Sequence, residues 1–115
     1  MPRSTRLDRP AAFRRILAQP ITFHDAFFTV MACPNTRCQP RIGLAVSRKC
    51  ARRAVDRNRI KRIVRESFRR HRQSIPPIDI LVIGRPRAVQ ASNARLRAAL
   101  RFHWESLREV QCDSS

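Results

Sequence analysis

The sequence contains few of the residues that most nucleotide-binding enzymes and many RNA-binding modules rely on. It has two glycines, one tryptophan and no tyrosine. Two glycines are too few for a glycine-rich loop around a phosphate, and scarce aromatic rings argue against a module that stacks single-stranded bases. No Ser/His/Asp group, Cys/His pair or pair of carboxylates on one face indicates a catalytic centre. Any chemistry would therefore be supplied by a partner.

The cysteines and the apolar stretches exclude two further classes. The four cysteines form no CxxC pair and have no histidine at a ligand spacing, which favours reduced thiols over a zinc site. No run approaches the roughly 20 apolar residues of a membrane span, and no signal peptide is recognisable. The sequence thus indicates an intracellular, cytoplasmic protein with no membrane partner.

Acidic residues are also scarce, and the imbalance points to a polyanionic partner. The chain carries 8 Asp and Glu against 25 Lys and Arg, a formal charge of +17, and its only lysines are Lys49 and Lys61. Guanidinium groups match phosphate oxygens and stack on bases, which favours nucleic acid over an anionic membrane. With 43% apolar residues, residues 1–115 are expected to fold as a single domain, with 1–5 and 110–115 as flexible ends.

Local patterns predict an alternation of helices and strands. A capping carboxylate and a proline start a helix at 8–10, and Pro20 ends it. A turn-rich stretch at 34–40 is typical of a hairpin-type connection. The remaining predicted elements are strands at 27–32, 41–47 and 80–83, a long helix at 51–72, and a last helix that begins at Ser92 or Asn93.

The strand at 41–47 has one bulky face and one face of small residues. Ile42, Leu44 and Val46 alternate with Gly43, Ala45 and Ser47, so the second face carries little bulk. If this strand pairs with 27–32, Thr29 and Met31 line the same thinly covered surface. Two interpretations stay open: a groove for a ligand, or a helix that packs closely over small residues.

The long helix concentrates the positive charge on one side. Residues 48–72 contain 12 cations and only two acids, Asp56 and Glu66. At 100° per residue, an apolar arc is expected to face the core, and a neighbouring quarter of the circumference is polar. Because like charges repel there, this side favours phosphate binding over simple solvation. The apolar arc comprises Ile60, Ile63, Val64, Ser67 and Phe68; the polar quarter comprises Asn58, Lys61, Arg62, Arg65 and Arg69. Arg57 lies on the seam, where it could reach over the sheet.

Two stretches carry a resemblance to a known family. The sequence RIGLAVSRK at 41–49 and AVDRNRIKRIVRESFR at 54–69 resemble the protein subunit of bacterial ribonuclease P. The core of the match is the Arg57-Asn58-Arg59 motif. It continues into Lys61, Arg62, Arg65 and Glu66, and the resemblance extends over roughly residues 6–108.

The resemblance implies a fold and a function. The fold would be an α+β sandwich of order α-β-β-β-α-β-α with a left-handed βαβ crossover. The function would be to assist a catalytic RNA in cutting the 5′ leader from precursor tRNA, with the catalytic centre and its magnesium ions in the RNA and no metal on the protein alone. The implied RNA-binding residues are Arg48, Lys49, Arg57, Asn58, Arg59, Lys61, Arg62, Arg65 and Arg69. The implied leader cleft comprises Phe13, Leu17, Thr29, Met31 and Ala45.

Three cleft positions depart from common family choices. Leu17 replaces a frequent aromatic residue, Met31 a frequent tyrosine and Ala45 a frequent hydroxyl residue. Leader contacts here are therefore expected to rely less on stacking and hydroxyl bonds, and more on Arg57, Asn58 and apolar contact. Two other functions remain as alternatives. One is a structural RNA-binding protein of ribosomal type; the other is a DNA-binding module, which the strands flanking the basic helix disfavour.

Overall fold

The computed structural model describes residues 21–35 and 38–108. These residues form four strands, two α-helices and two 3-10 turns. The strands are β1 (Ile21–His24), β2 (Phe28–Pro34), β3 (Arg41–Ala45) and β4 (Ile78–Gly84); the helices are α1 (Ala54–His71) and α2 (Asn93–Leu107). The 3-10 turns are Arg72–Ser74 and Pro86–Gln90. The helix predicted at 8–20 and the chain ends expected to be flexible lie outside the described residues.

The four strands form one mixed sheet in the order β1-β2-β4-β3. β4 lies between β2 and β3, pairing antiparallel with β2 and parallel with β3. The expectation of a hairpin between 27–32 and 41–47 was therefore wrong: residues 34–40 connect two strands that do not pair. The predicted unit of strand, crossover helix and strand is confirmed as β3-α1-β4. The left-handed sense of the crossover stays a prediction.

The core lies between one face of the sheet and the two helices. Phe28, Val30, Ile80 and Val82 are at most 1% exposed and belong to the same buried cluster as the apolar sides of both helices. The α1 residues predicted to face the core are the ones found buried, and in α2 both His103 and Trp104 are buried. The Trp104 indole donates to Ser67 Oγ at 2.8 Å, which explains a serine within an apolar face.

One strand, β1, was not predicted from the sequence, and the start of α1 differs from its predicted position. β1 shows no strong alternation of apolar and polar residues, because it is an edge strand whose four residues are exposed or half-buried. α1 begins at Ala54 rather than near Ala51, because the backbone N–H groups of Cys50 and Ala51 both donate to the carbonyl of Ser47 at 3.0 Å and close a turn. In the part of the chain that the structure describes, neither helix has the length and apolar character needed to cross a bilayer.

Candidate nucleic-acid interface

The middle of α1 presents a row of cations with no partner in the part of the chain that the structure describes. Lys61, Arg62, Arg65 and Arg69 make no hydrogen bond or ion pair with any described residue. All are exposed except Lys61, which is half-buried, and Asn58 is exposed on the same side. We call these five residues the basic face. Unpaired cations this close together repel one another, so an approaching polyanion lowers the energy of this side of the helix.

Arg57 lies at the start of α1, but its side chain turns toward the preceding loop. Its Nη1 donates to the carbonyl oxygens of Ala51 and Arg52, each at 3.0 Å. Both oxygens accept from the same Nη1 atom, and the reach of Arg57 over the sheet and its RNA contact stay predictions. Arg57 therefore holds the entry loop against the helix.

Arg59, the second arginine of the motif, joins α1 to the segment before α2. Its guanidinium donates to Asn93 Oδ1 at 2.7 Å and to the carbonyl oxygen of Val89 at 2.9 Å. Longer bonds of 3.4 Å reach the carbonyls of Ala88 and Ala91. Four acceptors around one guanidinium give Arg59 a bridging role within the fold; its RNA contact stays a prediction.

The turn after β3 carries Arg48 and Lys49, which are both exposed. Cys50 anchors this turn: its thiol donates to the carbonyl oxygen of Arg85 at 3.4 Å, and burial raises the pKa of the thiol. The turn packs tightly on β4, since a Cβ at Gly84 would lie 3.0 Å from Cys50 Sγ. Arg48 and Lys49 thus project from a fixed point between β3 and the basic face.

The sheet face away from the helices brings the predicted cleft residues together. Thr29 pairs with Ile83, which pairs with Ala45, and Met31 occupies the next row of the same face. The expectation that Thr29, Met31 and Ala45 share one surface is confirmed, although β4 lies between their strands. Phe13 and Leu17, also assigned to the cleft, lie outside the described residues. We call the surface of Thr29, Met31, Ile83 and Ala45 the open sheet face.

Exposure changes along this side of the sheet. Ala45 is exposed and Thr29 and Ile83 are half-buried, whereas Cys33, Asp79 and Arg41 at the other end are buried. Because β3 runs from Arg41 toward Ala45, the accessible end lies next to the turn of Arg48 and Lys49. A chain lying on the open sheet face would therefore meet those two cations.

A buried ion pair fills the inaccessible end. Arg41 binds Asp79 through two parallel bonds of 2.8 and 2.9 Å, and Asn35 Nδ2 donates to the same carboxylate at 2.9 Å. Asp79 is 0% exposed. Sequence reasoning missed this pair, because an arginine at a strand start and an aspartate 38 residues later carry no local signal.

No metal-binding cluster was found within residues 21–35 and 38–108: no three His, Cys, Asp or Glu side chains come together there. His103 Nε2 and Asp25 Oδ2 form a hydrogen bond of 3.1 Å. Asp25 also accepts two backbone N–H bonds from Phe27 and Phe28 at 2.8 Å. The His103–Asp25 contact joins α2 to the β1-β2 turn.

Fold and surface together define a class: a small α+β protein that offers fixed, unpaired cations to a polyanion. The sequence model of the Ribonuclease P family matches residues 1–108. The ribonuclease P protein component of Thioalkalivibrio sulfidiphilus is 48% identical over 106 residues, covering 92% of this chain and 88% of that protein. The component of Methylococcus capsulatus is 48% identical over 103 residues, covering 90% of this chain and 80% of that protein.

Solved structures agree with the sequence comparison. The RNase P protein of Staphylococcus aureus superposes with a TM-score of 0.83 at 33% identity, covering 92% of this chain and 96% of that one. The RNase P protein of Thermotoga maritima gives a TM-score of 0.78 at 30% identity, covering 88% and 96%. The chain belongs to the ribonuclease P protein family, and is thus an RNA-binding component of a tRNA-processing ribonucleoprotein.

Proposed function

We propose that this chain binds the catalytic RNA of ribonuclease P through its basic face and holds the 5′ leader of precursor tRNA on its open sheet face. In this proposal the RNA subunit contains the catalytic centre and its magnesium ions, and the complex acts in the bacterial cytoplasm. The protein contributes binding and orientation, with no DNA and no membrane as partner.

One observation carries the proposal: the turn of Arg48 and Lys49 connects the exposed end of the open sheet face to α1, which carries the basic face. The basic face has no partner among the described residues. The accessible end of the open sheet face adjoins the turn that carries Arg48 and Lys49. A strand of RNA could therefore leave the open sheet face directly onto a positively charged surface.

The physical role follows from the approach of two polyanions. Catalytic RNA and precursor tRNA repel each other, and cations placed between them lower that repulsion and release condensed counterions. A leader bound on the sheet is a contact that mature tRNA lacks. Substrate would therefore bind more tightly than product, because only substrate makes that contact.

Reconstitution tests the function directly. The full chain is mixed with a bacterial ribonuclease P RNA, and cleavage of precursor tRNA is followed at low magnesium, where RNA alone is slow. We expect strong stimulation, and tighter binding of precursor than of mature tRNA. Absence of stimulation would leave the alternative of a structural RNA-binding protein of ribosomal type in the stronger position.

The Met31→Tyr variant tests the leader-binding surface. Met31 is half-buried in the open sheet face, and a tyrosine ring there could stack on a leader base, which is worth about 1–3 kcal/mol. We expect tighter binding of precursor tRNA by up to roughly tenfold and unchanged binding of mature tRNA. An equal change for both RNAs would place Met31 outside the leader contact.

A further inference from the structure

A second basic groove lies between the two helices. It is lined on the α1 side by Glu66 and Arg70, and on the α2 side by Arg97 and Arg101, and it encloses about 400 Å³. Ala94 and Ala98, one helical turn apart, give the α2 side a low floor between the arginines. A volume of this size accommodates a group as large as a nucleotide.

The arginines in this groove have no partner within residues 21–35 and 38–108. Arg70, Arg97 and Arg101 are exposed and make no hydrogen bond or ion pair with any described residue. Three guanidinium groups thus surround one carboxylate, that of Glu66. A groove whose walls carry a net positive charge strengthens the local potential, so an anion is favoured there more than on a flat surface.

The groove is a different surface from both sites described above. Arg70 lies about 140° around the α1 axis from Arg65 and about 80° from Arg62, beyond the edge of the basic face. The groove also lies on the helical layer, whereas Met31 and Ala45 lie on the opposite side of the sheet. At least about 10 Å of helix separates the two, so a leader on the open sheet face does not extend into the groove.

We infer that this groove is a second contact for the catalytic RNA, in which Arg70, Arg97 and Arg101 bind the phosphodiester backbone of one strand. The inference rests on the proposed function, and it adds a third RNA-binding surface to the two proposed there. Guanidinium forks fit phosphate oxygens bidentately, and the small Ala94 and Ala98 let a sugar-phosphate chain approach the helix closely. One protein would then contact two separate regions of the same folded RNA.

The Arg97→Ala/Arg101→Ala double variant tests this contact. Neither side chain has a partner among the described residues, so we expect thermal unfolding to match that of the wild type. Binding to the catalytic RNA without substrate is measured across a range of salt concentrations. We expect affinity to fall at least roughly tenfold, and the slope of log K against log salt to decrease by about 1–2 units.

A matched control removes the same charge elsewhere. Arg87 and Arg95 are exposed and do not line the groove, and Arg95 lies over the Phe27 ring on another side of α2. We expect Arg87→Ala/Arg95→Ala to change RNA affinity less than twofold. Equal losses of RNA affinity in the two double variants would overturn the inference, because they would show a general attraction between the positive charge and RNA. An unchanged affinity of the groove variant would also overturn it.

A third variant separates shape from charge. Ala98→Trp fills the floor of the groove and leaves the net charge unchanged, so we expect RNA affinity to fall at least fivefold with little change in the salt slope. Wild-type affinity for Ala98→Trp would overturn the inference. The wild-type chain is measured in the same assay: if it fails to bind the catalytic RNA, the proposed function itself fails. If the wild-type chain binds the catalytic RNA and the groove variants bind it equally well, only the inference about the groove fails.

Discussion

The two ends of the Arg57–Arg69 stretch use arginine in opposite ways. In the first turns of α1, Arg57 and Arg59 donate to backbone carbonyls and to Asn93, and so bind the protein itself. In the following turns, Arg62, Arg65 and Arg69 have no partner among the described residues. A single run of cations therefore contains residues that shape the fold and residues available to a ligand.

This difference shows that charge density alone does not identify a binding residue. A guanidinium with five donors is satisfied by backbone acceptors as readily as by phosphate. Arg59 is already bound by four acceptors, so an RNA contact would have to share or replace them. Arg65 has no such competition and is free to bind phosphate at no cost to the fold.

The largest effect is expected where an arginine is buried against a carboxylate. Arg41→Ala leaves the Asp79 carboxylate, which is 0% exposed, without its cation. Breaking one partner of a buried pair costs about 3–5 kcal/mol, a large part of the stability of a small domain. Chemical denaturation measures this loss. The Arg41→Met/Asp79→Leu double variant is the control, and we expect it to recover most of the stability.

Arg59→Ala is expected to have an intermediate effect on stability. The variant loses the bonds to Val89 and Asn93, and hydrogen bonds to charged groups contribute about 1.5–3 kcal/mol. The free energy of unfolding should fall by about 2 kcal/mol, and hydrogen exchange in 88–93 should accelerate. If stability stayed within about 0.5 kcal/mol of the wild type while RNA binding fell sharply, Arg59 would act as an RNA-binding residue, as expected of Arg62, Arg65 and Arg69.

Arg65→Ala should leave the fold unchanged and weaken RNA binding. Its side chain is exposed and unpaired, so the free energy of unfolding should change by less than about 0.5 kcal/mol. Loss of one phosphate contact should lower the salt slope of RNA binding by about one unit. An unchanged slope would remove Arg65 from the phosphate contacts and weaken the contrast with Arg59.

The smallest effect is expected for the pH dependence of stability. It concerns the buried imidazole of His103, which, unlike the arginines, can lose its charge. Desolvation lowers the pKa of His103 from its usual 6.5, although nearby Asp25 partly opposes this, and His24 adds to it. Below pH 6.5 the unfolded chain takes up a proton that the folded chain resists, so stability is lost as the pH falls. Denaturation between pH 7 and 5 should show this slope. The His103→Gln variant should show a weaker dependence of stability on pH. An unchanged dependence would mean that other groups cause it.

Much of the fold and part of the site could be predicted where the signal was local. The buried side of α1, from Ile60 to Phe68, follows from helical spacing, and the small face of β3 follows from alternation. The motif at 57–59 led to the family. The strand order could not be read in the same way, because both β2 and β3 are compatible with pairing to each other or to β4. Long-range packing settles that choice.

The sequence by itself determined the excess of cations, the polar side of α1 and the family to which the chain belongs, because these depend on residue identity and spacing. Only the tertiary structure decided which cations form hydrogen bonds or ion pairs within the protein. Arg59 finds its acceptors 29 to 34 residues away, and Arg41 finds Asp79 through the pairing of β3 with β4. Hydrogen-bond partners act over about 3 Å, so only the folded chain brings such groups together and leaves the basic face and the groove unpaired.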